Sequence, residues 1–443
     1  MTHKPIIDLQ GHDPHALPAD LATALLERLA EPVAGVERVG LFDALGRVLA
    51  EDVVSPVSVP PHDNSAMDGY AFDGAQLRPG QPLALRVAGA ALAGAPWHGC
   101  AAPGECVKIM TGAVMPAGLD TVVPQELVHI NGDTVTVPAG AVRPGDNRRH
   151  AGEDLRAGQP ALRKGERLAP AALGLLASLG LTEVPVVRRL RVAVFSTGDE
   201  ILAPGQPPRE GAVYDSNRFA LLGLLTRLGV QVIDLGVVRD DPAALQAAFT
   251  RAAAQADAVI TSGGVSVGEA DHTKALMNRL GDIAFWGIAL RPGRPMAVGR
   301  IGGLQAESAS SARQSSASSY QQDSEKGALL FGLPGNPVAA MVAFIAFVRP
   351  ALLRMMGARA EPPVLLRAAS EAPLRKRPGR TEYQRGIVTQ HADGRLTVRT
   401  TGPQGSGVLS SMVQANGLIV LGHDQGPVAA GDDVQVMMFE GII

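Results

Sequence analysis

The chain has 443 residues, 46% hydrophobic and 19% charged, with 40 Lys and Arg against 43 Asp and Glu. That length predicts about three domains with cores of their own, and a charged fraction below the roughly 25% of average globular chains excludes general disorder. A net charge of −3 argues against holding nucleic acid by bulk electrostatics, and two cysteines, Cys100 and Cys106, argue against a disulfide scaffold or a structural zinc site. The N-terminus lacks the apolar stretch of a signal peptide, and the longest apolar run, Val338 to Val348, falls short of the roughly 18 residues that span a bilayer. A cytoplasmic protein without membrane or nucleic-acid partners is expected.

From Pro18 to Ala30 apolar residues recur at helical spacing, with Asp20 placed to cap the start. From Val53 to Gly152 short apolar stretches are cut by Pro, Gly and Asn, and Asn131-Gly132 signals a hairpin, so this segment reads as an all-β module. A short helix over Ala169 to Leu181 follows. The β module is therefore inserted in a discontinuous helical or linking region, residues 1–52 and 153–188. The next part, 189–362, alternates. Runs at Val192–Phe195, Val230–Leu235 and Ala258–Thr261 lack polar alternation, as strands buried on both faces do, and helices over Arg218–Leu228 and Pro242–Ala256 separate them. Asp241 before Pro242 is a capping pair. This order predicts a parallel sheet, extended by strands at Ala284–Leu290, Met296–Arg300 and Leu329–Leu333 and closed by a helix over Pro337–Met355. Residues 307–324 carry eight serines in 18 positions and predict a mobile surface loop. From 363 to 443 short strands return as a small barrel or sandwich. The fold class is α/β plus β, multidomain.

Ligands of open parallel sheets bind at the carboxyl ends of strands. The loops there hold Ser196, Thr197 and Gly198 with Glu200; Asp240; Ser262, Gly263, Gly264, Ser266 and Gly268 with Asp271; and Pro334, Gly335 and Asn336. Glycine admits close backbone approach to a phosphate, and helix N-termini complete an anion site. Acids crowding such loops imply a divalent cation, and oxygen ligands such as Glu200, Asp240 and Asp271 suit Mg²⁺. A Mg-bound phosphate ester is the implied ligand. No GxxxxGK[ST] occurs, which excludes a P-loop. Gly264 to Gly268 matches GxSxG between a strand and a helix, so a serine hydrolase with Ser266 as nucleophile is the rival reading, although the acid-rich, glycine-doubled loop suits phosphate better. Arg291 and Arg294 in RPGRP follow a strand on a Pro-Gly turn, a setting for a second, tetrahedral oxyanion.

VPPHDNSAMDGYAF (59–72), KIMTGAVMP (108–116), GED (152–154), FSTGDE (195–200), YDSNR (214–218), SGGVSVGEADHT (262–273) and GLPGNP (332–337) together resemble the molybdopterin molybdenumtransferases, relatives of the gephyrin E domain. The resemblance runs in order along nearly the whole chain. It implies a four-part subunit: a helical linking region, an inserted β domain, a parallel-sheet α/β molybdopterin-binding domain and a C-terminal β-barrel-like domain. It further implies a homodimer whose active site lies between subunits. The reaction it implies takes adenylylated molybdopterin and molybdate and, with Mg²⁺, yields molybdenum cofactor and AMP.

Carried over by motif, Asp68, Thr111, Asp154, Glu200, Asp240 and Asp271 are functional polar groups, and Arg294, Pro295, Arg385 and Ser406 form the molybdate pocket. The adenylyltransferase that supplies substrate and maturation factors of molybdoenzymes are the implied partners. Arg291 and Arg294 stand where family members often carry Lys, and Gly287 where many have Lys. Gephyrin also uses this fold as a receptor-anchoring scaffold, so a non-enzymatic role is the other alternative; retention of Asp68, Asp154 and Asp271 together favours chemistry.

Overall fold

The computed structural model describes residues 9, 11–264, 276–277, 279–302, 327–359 and 361–442. Its centre is a six-stranded sheet in the order Gln231–Val238, Arg191–Thr197, Ala258–Ser262, Ala328–Leu333, Pro295–Ile301, Gly281–Gly287. The first four strands are parallel, as the strand-helix alternation predicts. Pro295–Ile301 runs antiparallel to both its neighbours, so Gly281–Gly287 points with the first four; the link between Gly287 and Pro295 is too short for a crossover. Alternate residues of Arg191–Thr197 enter different cores: Val192 and Val194 one, Ala193 and Phe195 the other. That two-sided burial explains a strand without polar alternation. On the second face Phe195 meets Phe249 edge-on, ring centres 5.1 Å apart.

Helix Ser216–Leu228 is capped by Asp215, whose carboxylate accepts from Arg218 N, and helix Pro242–Gln255 by Asp241, which accepts from Ala243 N and Ala244 N. The first helix, Ala19–Leu29, starts after Pro18 with no side-chain cap, and Asp20 sits inside its first turn instead. Its buried Leu25, Leu26 and Leu29 pack into the α/β core rather than onto the linking region. The long helix Pro337–Ala343 continues through a π turn, Phe344–Val348, into Arg349–Met355. Among the described residues this 19-residue segment is the one long and apolar enough to cross a membrane, yet 67% of its apolar window is buried in the protein.

The linking region pairs Val36–Gly40 with Glu183–Val187 and buries a small core around Leu49, Leu168 and Leu176. From it the chain leaves along Val53–Val54 and returns antiparallel along Pro160–Leu162, a neck extended by Ser55 N to Gln159 O and Val59 N to Leu155 O. Beyond the neck stands the inserted module, a six-stranded sheet with its own cores on both faces. Its hairpin turns where Asn131 ends a strand and Gly132 takes φ +63°. The C-terminal part is a closed five-stranded barrel: Thr381–Gln390, Leu396–Thr400, Leu365–Ser370, Asp433–Met438, Gly417–Leu421 and back to Thr381–Gln390. Leu290–Arg291 of the α/β domain adds to its rim, parallel to Thr381–Glu382.

Candidate active site

At the carboxyl ends of the parallel strands lies a cleft of about 890 Å³. One wall consists of Ser196, Thr197, Glu200, Ser262, Gly263, Gly264, Pro334, Gly335 and Asn336; the other of Arg291, Arg294, Pro295 and, from the barrel, Gln404 to Gly407 with Ser406. Loops that are up to about 200 residues apart in sequence thus meet in one place, as expected from sheet topology. Ser266, Gly268 and Asp271 lie outside the described residues, as does the Ser-rich segment.

Two buried side chains organise the first wall. Asn217 Nδ2 donates to Ser262 Oγ and to Gly335 O, both at 2.7 Å, tying two glycine loops together. Asp215 accepts from Ser196 Oγ at 2.9 Å and from Arg218 Nε at 2.9 Å, and Arg218 reaches on to Asp234 at 2.5 Å. Among the described residues Thr197 Oγ1 is buried without a partner, a spare hydroxyl at the cleft. Gly263, at φ +92°, lies so close that a Cβ would sit 2.5 Å from Thr197 O. A Cβ at Gly198, φ +143°, would collide with the Glu200 carboxylate. Gly198 does not itself line the cleft; it makes room for a carboxylate that does. Asn217 and Asp215 belong to YDSNR, a stretch that contributed to the resemblance without being singled out for the site.

On the opposite wall Arg294 Nε donates to His15 O at 3.4 Å, and Arg291 Nη1 stands 3.6 Å from the buried Glu382. Arg385 is placed differently from an open ligand group. It is fully buried, absent from the cleft lining, and its Nε donates to Ser411 Oγ at 2.9 Å and its Nη2 to Gly405 O at 2.9 Å. Burial, and then the charge of Arg291, lower its pKa to about 10. Arg385 therefore underpins the loop that carries Ser406, with Nη1 left unpartnered among the described residues. A main-chain bond from Val338 N to Ser406 O, 3.1 Å, fastens that loop to the start of the long helix.

Asp240 stands beside the cleft without lining it. Its N–H donates to Asp199 Oδ1 at 3.3 Å, and its own Oδ1 is buried with no partner among the described residues. The described residues hold no cluster of three or more Asp, Glu, His or Cys that could bind a metal. Glu200 and Asp240 thus stand on neighbouring loops, Glu200 in the cleft lining and Asp240 beside it. Mg²⁺ commonly takes one or two protein carboxylates plus substrate phosphates, so this donor set fits an ion shared with a phosphate ligand.

Asp68, Thr111 and Asp154 are exposed on or beside the inserted module, away from the cleft lining of their own chain. Two of them meet: Asp68 Oδ1 accepts from Thr111 N at 2.6 Å and Thr111 Oγ1 at 2.7 Å, and the backbone and then the side-chain bond lower the Asp68 pKa. An ionised carboxylate is held ready at the surface.

Three family matches tile the chain. Residues 17–180 match the MoeA N-terminal region (domain I and II), 193–354 a probable molybdopterin binding domain, and 367–439 the MoeA C-terminal region (domain IV). The molybdopterin molybdenumtransferase of Haemophilus influenzae is 40% identical over 420 residues, 95% of this chain and 97% of that protein. Molybdopterin molybdenumtransferase 2 of Mycobacterium tuberculosis is 37% identical over 90% of this chain and 94% of its own. The crystal structure of a molybdopterin biosynthesis moeA protein from Pyrococcus horikoshii OT3 superposes with a TM-score of 0.78 at 29% identity, covering 96% of this chain and all of that one. With the cleft, the neck-borne module and the closed barrel matched along their whole length, this chain belongs to the molybdopterin molybdenumtransferases, a family of enzymes.

Proposed function

We propose that the chain inserts molybdenum from molybdate into adenylylated molybdopterin, with Mg²⁺, forming molybdenum cofactor and releasing AMP. The observation that carries this reading is the two-sided chemistry of one cleft. Its glycine-rich wall, with Ser196, Thr197, Ser262 and the backbone around Gly263, Gly264 and Gly335, suits a phosphate ester. Its other wall, with Arg291, Arg294 and Ser406, suits a tetrahedral oxyanion. Both substrates are then held side by side, which removes most of the entropic cost of bringing them together.

In this reading Thr197 Oγ1 donates to a phosphate oxygen, Arg294 and Ser406 orient molybdate, and Arg385 acts from behind by holding the Ser406 loop. Glu200 and Asp240, with Asp271, would hold Mg²⁺, which when bound neutralises charge on the phosphate oxygens and eases departure of AMP. Asp68 with Thr111, and Asp154, serve the cleft of a second copy in a homodimer. An adenylyltransferase supplies the substrate, and maturation factors of molybdoenzymes take the product. We place the reaction in the cytoplasm, in keeping with two unpaired cysteines. AMP release from adenylylated molybdopterin, with and without molybdate and Mg²⁺, tests the proposal. Release should require both, and release indifferent to molybdate would overturn it.

A further inference from the structure

Where the α/β domain meets the barrel, a second hollow of about 470 Å³ is lined by Arg291, Arg375, Lys376, Arg377 and Arg380. Every lining residue is cationic, in a chain whose net charge is −3. Two carboxylates act on this group. Glu382, 1% exposed, accepts from Arg380 Nε at 3.1 Å and lies 3.6 Å from Arg291 Nη1, and Asp424 acts on Lys376 from an exposed turn. Five cations against two carboxylates leave an excess of three positive charges.

The fold holds these like charges together. Strand register places Arg291 opposite Glu382, and the buried Lys376 donates its Nζ hydrogens to the carbonyls of Arg377, His423 and Gln425. Lys376 thus supplies charge from below with its donors already used. Arg375 and Arg377 are exposed and enter none of the ion pairs among the described residues. A concave surface of one sign focuses its field on an approaching counter-ion, and guanidinium forks match tetrahedral oxyanions. A single tetrahedral anion would leave most of this volume unfilled, whereas a chain of phosphates would span it. The lining has no aromatic side chain and no side-chain hydrogen-bond acceptor, so beyond a guanidinium plane it offers nothing that reads a nucleobase.

We propose that this hollow, which borders the cleft through the shared Arg291, is a polyphosphate-binding site of its own, taking inorganic polyphosphate or the phosphate chain of a nucleoside triphosphate by charge and phosphate geometry alone. Calorimetric titration of the full chain at about 0.15 M salt tests this, because surface steering alone is largely screened there. The probes are tripolyphosphate, ATP, AMP and a glutamate oligopeptide, applied to the wild type, to Arg375→Ala/Arg377→Ala and to Arg294→Ala. Tripolyphosphate and ATP should bind equally well, one per chain, with AMP and the peptide at least tenfold weaker. The double variant should lose at least tenfold in affinity while Arg294→Ala stays unchanged. If the double variant does not fold, Arg377→Ala alone should show a several-fold loss. No binding of tripolyphosphate, a marked preference for ATP, equal binding of the peptide, or loss confined to Arg294→Ala would each overturn the assignment. No arm depends on turnover, so the result is independent of the reaction proposed above.

Discussion

Asn217 is the residue that fastens the glycine-rich wall of the cleft. Replacing it with Ala removes two 2.7 Å bonds, one to the buried Ser262 Oγ and one to the carbonyl of the exposed Gly335. Each such bond contributes about 0.5–1.5 kcal/mol net, and taking a partner from the buried Ser262 hydroxyl costs about 1–3 kcal/mol, whereas the exposed Gly335 carbonyl can turn to water. Ser262 Oγ keeps only a long 3.5 Å contact to Pro334 O, so little compensation is at hand. Asn217→Ala should therefore lower the stability of the α/β domain by about 2–4 kcal/mol in urea unfolding. Because the two loops it joins both line the cleft, KM for adenylylated molybdopterin should rise more than the molybdate requirement. Asn217→Asp keeps the volume but turns an acceptor toward Gly335 O, and should do at least as much damage. An alanine variant within about 0.5 kcal/mol of wild type and with unaltered KM would refute the idea that this amide fastens the loops.

Gly263→Ala must place a Cβ 2.5 Å from Thr197 O at φ +92°, and should abolish substrate binding while far-ultraviolet circular dichroism stays native. Arg294→Ala should raise the molybdate requirement at least tenfold with little change in binding of the pterin substrate, measured by AMP release against molybdate concentration. Mixed dimers of Asp68→Ala and Glu200→Ala should regain up to about a quarter of wild-type activity, since random exchange puts both defects in one composite site of each hybrid; no recovery despite subunit exchange would mean sites built within one chain. Asp257 is buried, which opposes ionisation, but bonds from Arg188 and Arg191 outweigh this and lower its pKa. A carboxylate with a depressed folded pKa stabilises fully above its unfolded value of about 3.9 and loses that contribution as pH falls through the folded pKa. Asp257→Asn should cost about 3–5 kcal/mol at pH 7 and progressively less below about pH 4, read by thermal unfolding across pH.

Local chemistry carried much of this architecture into view. Asp241-Pro242 announces a helix start because both residues act within one turn, and the glycine loops at 262–264 and 334–335 announce a ligand edge because a parallel sheet puts strand ends together. What depends on distant partners was not legible. The antiparallel turn of Pro295–Ile301 follows from a short link whose geometry, not composition, decides direction. Arg385 reads like any arginine after a Gln, yet six successive residues of its strand, Thr381 to Gly386, are buried, so no period-two pattern reveals which side chains face outward. Asn217 was visible within a motif, but its two acceptors lie 45 and 118 residues away and only tertiary structure brings them to it.

The neck between Val53–Val54 and Pro160–Leu162 has a consequence for how this chain can be cut and rejoined. Exit and return points are hydrogen-bonded neighbours, so about a hundred residues hang from the rest of the protein as a pendant. The cleft, its two walls and the barrel contain nothing from that pendant. Replacing residues 55–159 by a short turn would leave the sheet, the glycine loops and the arginine wall in place, while removing Asp68, Thr111 and Asp154. Gain or loss of such a segment is invisible to the remainder of the fold. Within one chain the pendant can thus be lengthened or shortened without disturbing the core that forms the cleft.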